Sequence, residues 1–295
     1  MTQRRDSKRP NSGRKVPVRR VALEPTFETV PRHFARDGDL ISSHIIAALS
    51  SVFPDGEDFF VRSVRHYRDQ ITDPELAEQV SGFIGQEVTH GREHRAFNTH
   101  LDSLGYHTKF VERITRKGLE FRERHVPAIA NLASTAALEH VTATLAELVM
   151  RSPETQESFG HEAVKNLFLW HALEESEHKA VAFDVYRAVG GGERLRIFTM
   201  RMIRYGFALG IGLQVVIALL MDRATYRPGA LRKSWRYVKK QPFMSKEVWE
   251  QLKSYETRGF HPDDRPTNDL VERYREELFG ANGSIPLPPA RTAVA

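Results

Sequence analysis

Along most of the chain, apolar residues recur three and four positions apart, which puts them on one face of a helix, and no run alternates as a strand does. A short helix is expected over 39–52. A second is expected to start after Pro54, with Asp55 as its cap, and to run to about Gln70. "TDPELAEQ" combines a capping residue, a proline and acids, so a helix should run from there to about Leu104, ahead of Gly105. Another segment covers roughly 108–124, and Pro127 opens a long helix to about 150. "SPETQE" opens the next, expected to continue to Gly190-Gly191-Gly192. A further helix starts near Glu193 and includes the apolar stretch 205–221. Shorter basic and aromatic segments follow Pro228. The pattern predicts an all-α fold, a four-helix bundle with additional N- and C-terminal helices.

Ionisable residues interrupt two of these apolar faces. "GQEVTHGREH" and "WHALEESEH" each contain Glu-x-x-His, as Glu87/His90 and Glu175/His178. Residues three apart lie about 60° apart around a helix, so each pair shares a face. His94 falls beside the first pair and His171 beside the second. Glu174 and Glu177 point elsewhere, so the spacing selects Glu175. A di-metal site in a bundle core uses this spacing twice, with one more glutamate from each of two other helices. Glu57 sits on a stripe with Phe60, Val64 and Tyr67. Glu139 sits among Thr135, Ala136, Thr142, Ala143 and Ala146, small residues that leave room for metal. Four carboxylates balance two divalent ions, so such a site is neutral. His140 points away from Glu139's partners. His94 is as much a candidate to hold a ligand imidazole from behind, or to lie at the surface, as to bind metal; Asp184 could hold a ligand imidazole from a neighbouring helix, with a solvated acid as its main reading.

Charge changes the picture at the ends. Residues 1–20 hold eight Arg/Lys and one Asp, +7 in all; taken from the chain's +5, this leaves about −2, ordinary for a globular protein. The organisation expected is therefore a disordered basic tail over 1–30, a di-metal bundle over 31–190, accessory helices over 191–280 and a flexible tail over 281–295. No apolar signal core follows the basic start, and cysteine is absent, which fits a reducing compartment. The stretch 205–221 carries one strongly polar residue, Gln214, and lies between basic flanks with Tyr226, Trp235 and Tyr237 nearby. Two readings stay open for it: a helix packed on the bundle, or one lying on or in a membrane.

These four helices resemble the ferritin-like di-iron carboxylate superfamily, which includes ribonucleotide reductase small subunits and bacterial multicomponent monooxygenases. Glu57, Glu87-x-x-His90, Glu139 and His171-x-x-x-Glu175-x-x-His178 are similar to the seven-ligand pattern of arylamine N-oxygenases. Over roughly 30–270, through "QEVTHGREHRAFN", "HALEESEHKAVAFDVY" and "RGFHPDD", the chain looks closer to a bacterial family labelled predicted metal-dependent hydrolase. The resemblance implies two iron ions, with manganese or zinc as alternatives, and a di-iron oxygenase or oxidase acting on an organic substrate, amine or lipid-like. A hydrolase using metal-activated water is the alternative, and a non-enzymatic iron-binding protein the lesser one. Expected partners are a small-molecule substrate, an external electron donor (a reductase or ferredoxin), an anionic membrane surface and a second copy of the chain; nucleic acid is not expected. The expected address is cytoplasmic, with a peripheral place on the inner face of the membrane as the variant.

Overall fold

The computed structural model describes residues 15–285. All regular elements among them are helical. The long helices are α1 (Leu40–Arg65), α2 (Pro74–Ser103), α3 (Thr108–His125) and α4 (Ala128–Arg151). After these come α5 (Pro153–Ser158), α6 (Glu162–His178), α7 (Val181–Ala188) and α8 (Glu193–Met221). The last are α9 (Ala230–Val238), α10 (Lys246–Ser254) and α11 (Asn268–Phe279). Side-chain caps start several of them: Asp39 accepts from Ser42 N at 2.8 Å, Asp73 from Glu75 N at 3.0 Å and Ser152 from Thr155 N at 3.1 Å.

α1 is one helix where two were expected. Pro54 has no N–H to give the carbonyl of Ser50 four residues back. Asn98 Nδ2 of α2 takes that place, donating to Ser50 O at 3.0 Å. The proline is tolerated because a neighbouring helix completes the bonding it breaks. Conversely, the single helix expected over 153–190 is three. Gly160 sits in the left-handed region (φ +71°), and a Cβ there would lie 2.3 Å from Phe34 O, so the chain turns sharply between α5 and α6. A second break, at Lys179–Ala180, separates α6 from α7.

α1 packs on α2 and α4 on α6, and the two pairs meet through α1–α4 and α2–α6 contacts. α3 lies against α1, α7 against α4 and α2, and α11 against α6. α8 runs along α4 and α1. Two apolar clusters fill the interior, one with Phe27, Phe97, Leu101, Trp170 and Tyr274, the other with Phe59, Phe83, Leu132, Tyr186 and Tyr255. On α1, α2, α4 and α6 the residues between these clusters are polar and buried, and the candidate ligands are there.

The tails differ from expectation. Residues 1–14 lie outside the described residues, but 15–30 are packed rather than disordered. Val21, Leu23, Phe27 and Val30 join the core, and Glu93 accepts from Leu23 N at 2.9 Å. These four buried apolar residues outweigh the charge that dominates the first part of that segment. At the other end Ile285 is also buried, and 286–295 lie outside the described residues.

Candidate metal centre

The structure brings all seven sequence-selected residues into one buried site: Glu57 from α1, Glu87 and His90 from α2, Glu139 from α4, and His171, Glu175 and His178 from α6. None is more than 4 % exposed. They form two adjoining groups, Glu57/His90/His171 and Glu87/Glu139/Glu175/His178, whose candidate ligand atoms lie within 4.8 Å of one another in each group. Glu175 joins the groups. One of its oxygens is 2.9 Å from His171 Nε2 and 4.0 Å from His90 Nδ1, and the other is 3.6 Å from His178 Nε2. Gly91 admits Glu57 to the face of α2, where a Cβ would lie 3.3 Å from its Oε2.

The donor atoms face inward and are poorly satisfied by one another. Both carboxylate oxygens of Glu57, Glu87 and Glu139, together with His90 Nδ1 and His178 Nε2, make no hydrogen bond. Some are close, as His178 Nε2 is to Glu87 at 3.1 Å and to Glu139 at 3.3 Å, but they are not in hydrogen-bonding orientation. Buried polar atoms without partners cost about 1–3 kcal/mol each, and more when charged. Eight such atoms converging on one interior space fit a pair of cations.

The far side of each imidazole is held, and the bonding fixes where its proton sits. Gln86 Nε2 donates to Pro17 O and to Glu177, each at 2.9 Å, so Gln86 Oε1 accepts from His178 Nδ1 at 2.8 Å. Asn98 Nδ2 donates to Ser50 O and Glu112, and its Oδ1 accepts from Ser50 Oγ at 2.7 Å. Ser50 Oγ must then accept from His94 Nδ1 at 2.9 Å, leaving His94 Nε2 to accept from His171 Nδ1 at 2.7 Å. The Glu174 carboxylate accepts from His90 Nε2 at 3.1 Å, and Arg19 donates to Glu174 at 3.0 Å. His90 is thereby left with the lone pair on the nitrogen facing the site, as a metal ligand requires; His171 Nε2 is bonded to Glu175 at 2.9 Å, and His178 Nε2 faces the Glu87 and Glu139 carboxylates. His94 sits behind His171, not in the group.

Burial, reinforced by neighbouring carboxylates, pushes Glu57 and Glu139 well above the usual carboxylate range and raises Glu87. Burial also raises Glu175, but His178 and His171 outweigh it and hold that carboxyl well below its usual value. Burial alone would lower His178; the Glu175 and Glu139 carboxylates raise it instead. His90 and His94 are kept neutral, by burial first and His171 second. Glu174 is pushed up to about 8 by burial against the pull of Arg19. Four carboxylates cannot all ionise here without added positive charge, and two divalent ions supply it.

A family described as predicted metal-dependent hydrolase matches residues 17–265. The chain belongs to this family of predicted metal-dependent hydrolases. Neither the curated proteins nor the solved structures gave a match. The family's description favours the hydrolase alternative over the oxygenase, and buried His/Glu groups that can hold metal accord with metal dependence in this hydrolase family.

Asp184 corrects one expectation. It holds the imidazole of His261, at 3.0 Å. Helix α7, which carries it, starts after the break at 179–180 and packs against α4 and α2. His140 lies outside the site, bonded to Gln251 O at 3.0 Å. Sequence reading missed Gln86, Glu174, Ser50 and Asn98. A signal was present for two of them: each Glu-x-x-His is preceded by a second polar residue, Gln86 before Glu87 and Glu174 before Glu175. Each of these reaches across to the other motif's histidine, Gln86 to His178 and Glu174 to His90.

Proposed function

We propose that this chain is a hydrolase built on a di-metal carboxylate centre in a ferritin-like four-helix arrangement, with Glu57, Glu87, His90, Glu139, His171, Glu175 and His178 as ligands. The observation that carries it is Glu175, whose two oxygens face the two ligand groups as a bridging carboxylate does. When bound, such a metal pair lowers the pKa of water and polarises the bond to be cleaved. The chain's residues supply the rest. Glu57, Glu87 and Glu139, with no hydrogen bond on either oxygen, would hold the metals, and a carboxylate oxygen left over could accept a proton from the attacking water. His94, Glu174 and Gln86 fix the three ligand rings, and the apolar clusters on either side keep bulk water out.

A second reading, oxygen-dependent oxidation on two irons, is supported by one feature. The site is enclosed by seven side chains, three of them imidazoles, and a small reactant reaches such a place more readily than a bulky ester. The experiment that separates them begins with elemental analysis of the protein expressed with iron, manganese or zinc in turn, with two metals per chain expected. Turnover of an ester and amide panel is then measured with and without air. Hydrolysis indifferent to oxygen supports the first reading. Oxygen uptake by the reduced iron form, with no hydrolysis, replaces it with the second. Less than one metal per chain under all three conditions defeats both.

A further inference from the structure

The structure's most exposed apolar surface is the outer face of α8. α8 is the helix among the described residues that is long and apolar enough to cross a membrane, yet little of it is buried. Its outward stripe Tyr205, Leu209, Leu213, Val216 and Leu220 advances by three and four residues, and Leu209 is 74 % exposed. No charged residue occurs from 205 to 221. The opposite side of the helix is engaged. Val215 packs with Ile41 and Ala48, Gln214 donates to Ser51 at 2.7 Å, and Arg204 is paired with Glu256 at 2.6 Å.

Immediately beyond the stripe the chain becomes basic. Residues 223–246 contain eight Lys/Arg and no Asp or Glu, and all eight are exposed. Among the described residues, the seven cations between 223 and 240 form no ion pair; Lys246 alone reaches an acid, Glu250 at 3.1 Å. Tyr226 and Trp235 stand exposed in the same segment. An apolar face that ends in unpaired cations and interfacial aromatics has the complement of an anionic bilayer.

We infer that α8 and the 223–246 segment dock the protein on the surface of an anionic lipid membrane. The helix lies in the plane of the interface, because its inner side runs along α1 and α4, which carry Glu57 and Glu139 and cannot follow it through a bilayer. A second copy of the chain fits this face less well. Two-fold pairing that sets the two 223–246 segments together places the eight cations of one copy against those of the other, like charge against like. The inference holds whichever reaction the metal centre performs.

The test uses the full chain with vesicles of phosphatidylcholine alone and of phosphatidylcholine mixed with phosphatidylglycerol. Co-sedimentation is expected with the anionic vesicles only, weakening as salt is raised. Lys239→Glu with Lys240→Glu should weaken it by roughly tenfold or more, and Leu209→Glu with Leu213→Glu should abolish it, with helix content and metal stoichiometry as in the parent. Should the leucine variants fail to fold, brominated lipid provides a measurement on the parent: anionic vesicles should quench a tryptophan signal that Trp235→Phe removes. The inference is overturned if the parent stays in solution with both vesicles at low salt. It is equally overturned by a dimer in analytical ultracentrifugation that the leucine variants convert to monomer, which assigns the face to a second copy.

Discussion

The middle of the bundle and the outer face of α8 invert the usual arrangement of a water-soluble protein. Inside, four carboxylates and four imidazoles, His94 included, are buried within one layer. Outside, a helix face about 16 residues long from Tyr205 to Leu220 presents no charge to its surroundings. Each placement is costly in isolation: an unpaired buried carboxylate costs several kcal/mol, and an exposed leucine forgoes about 1.5–3 kcal/mol of burial. Each becomes reasonable if something absent from the polypeptide completes it. The difference between them lies in preorganisation. The interior site is braced atom by atom from behind, whereas the outer face is braced only along its inner edge, as suits a partner that offers no fixed atoms.

The sharpest way to break this comparison is to remove the residue that joins the two ligand groups. Glu175→Ala should reduce bound metal from two ions to one or none and lower turnover by at least about a hundredfold. Helicity should be retained in circular dichroism, because the apolar clusters that hold α6 are untouched. A variant that keeps both ions would show that the buried charge is structural.

Next come the residues behind the imidazoles. Glu174→Leu and Gln86→Leu remove the acceptors of His90 and His178 respectively, and each should weaken metal binding by about 10–100-fold, measured by competition with a chelator. His94→Ala, which frees His171 Nδ1, belongs to the same class. His171→Ala should do more than His94→Ala, since it removes the donor itself; the reverse order would exchange their roles.

The hydrogen-ion dependence should follow from the same carboxylates. Without metal, Glu57 and Glu139 keep their protons to higher pH than in the unfolded chain. Raising the pH from the unfolded value through the raised folded value therefore destabilises the apoprotein. His178, held charged by its neighbours, loses its contribution in the same direction as pH rises through its raised folded value. Metal replaces those protons, so the holoprotein escapes this loss. The gap in Tm between holo and apo forms should widen from about pH 6 to about pH 8. A gap that narrows would mean that protons are not what the metal displaces.

How much of this was legible beforehand follows the reach of the interactions. The Glu-x-x-His pairs, Glu57 and Glu139 could be found because helix geometry is local and projects a face from spacing alone. Continuity of α1 could not, since it depends on Asn98, more than forty residues from Pro54, supplying a bond to Ser50 O. Gln86 and Glu174 were passed over because they do not share the face of the glutamates they precede. Their role exists only once α2 and α6 are side by side. The order of residues 15–30 was hidden likewise: Arg19 looks like a solvated charge until Glu174 and Glu177 are placed against it, at 3.0 and 2.7 Å. The pairing of Asp184 with His261 was hidden because His261 is 77 residues further along the chain.

The smallest expected effect lies on α8, where the two regions can be compared within one helix. Val215 faces inward with 7 % exposure, packed with Ile41, Ala48 and Val238. Val215→Ala deletes two buried methyl groups and should cost roughly 1–2 kcal/mol in chemical denaturation. Leu209 points outward, and glutamine matches its helix propensity, so Leu209→Gln should change stability in solution by no more than about 0.5 kcal/mol. On anionic vesicles the order should invert. Val215→Ala leaves the outer stripe unaltered and should bind as the parent does, while Leu209→Gln gives up an apolar side chain that the lipid would bury. If Leu209→Gln destabilises the protein in plain buffer as much as Val215→Ala does, the outer face is already covered by protein. The contrast between a braced interior and an unpartnered exterior would then fail at the residue where it is most exposed.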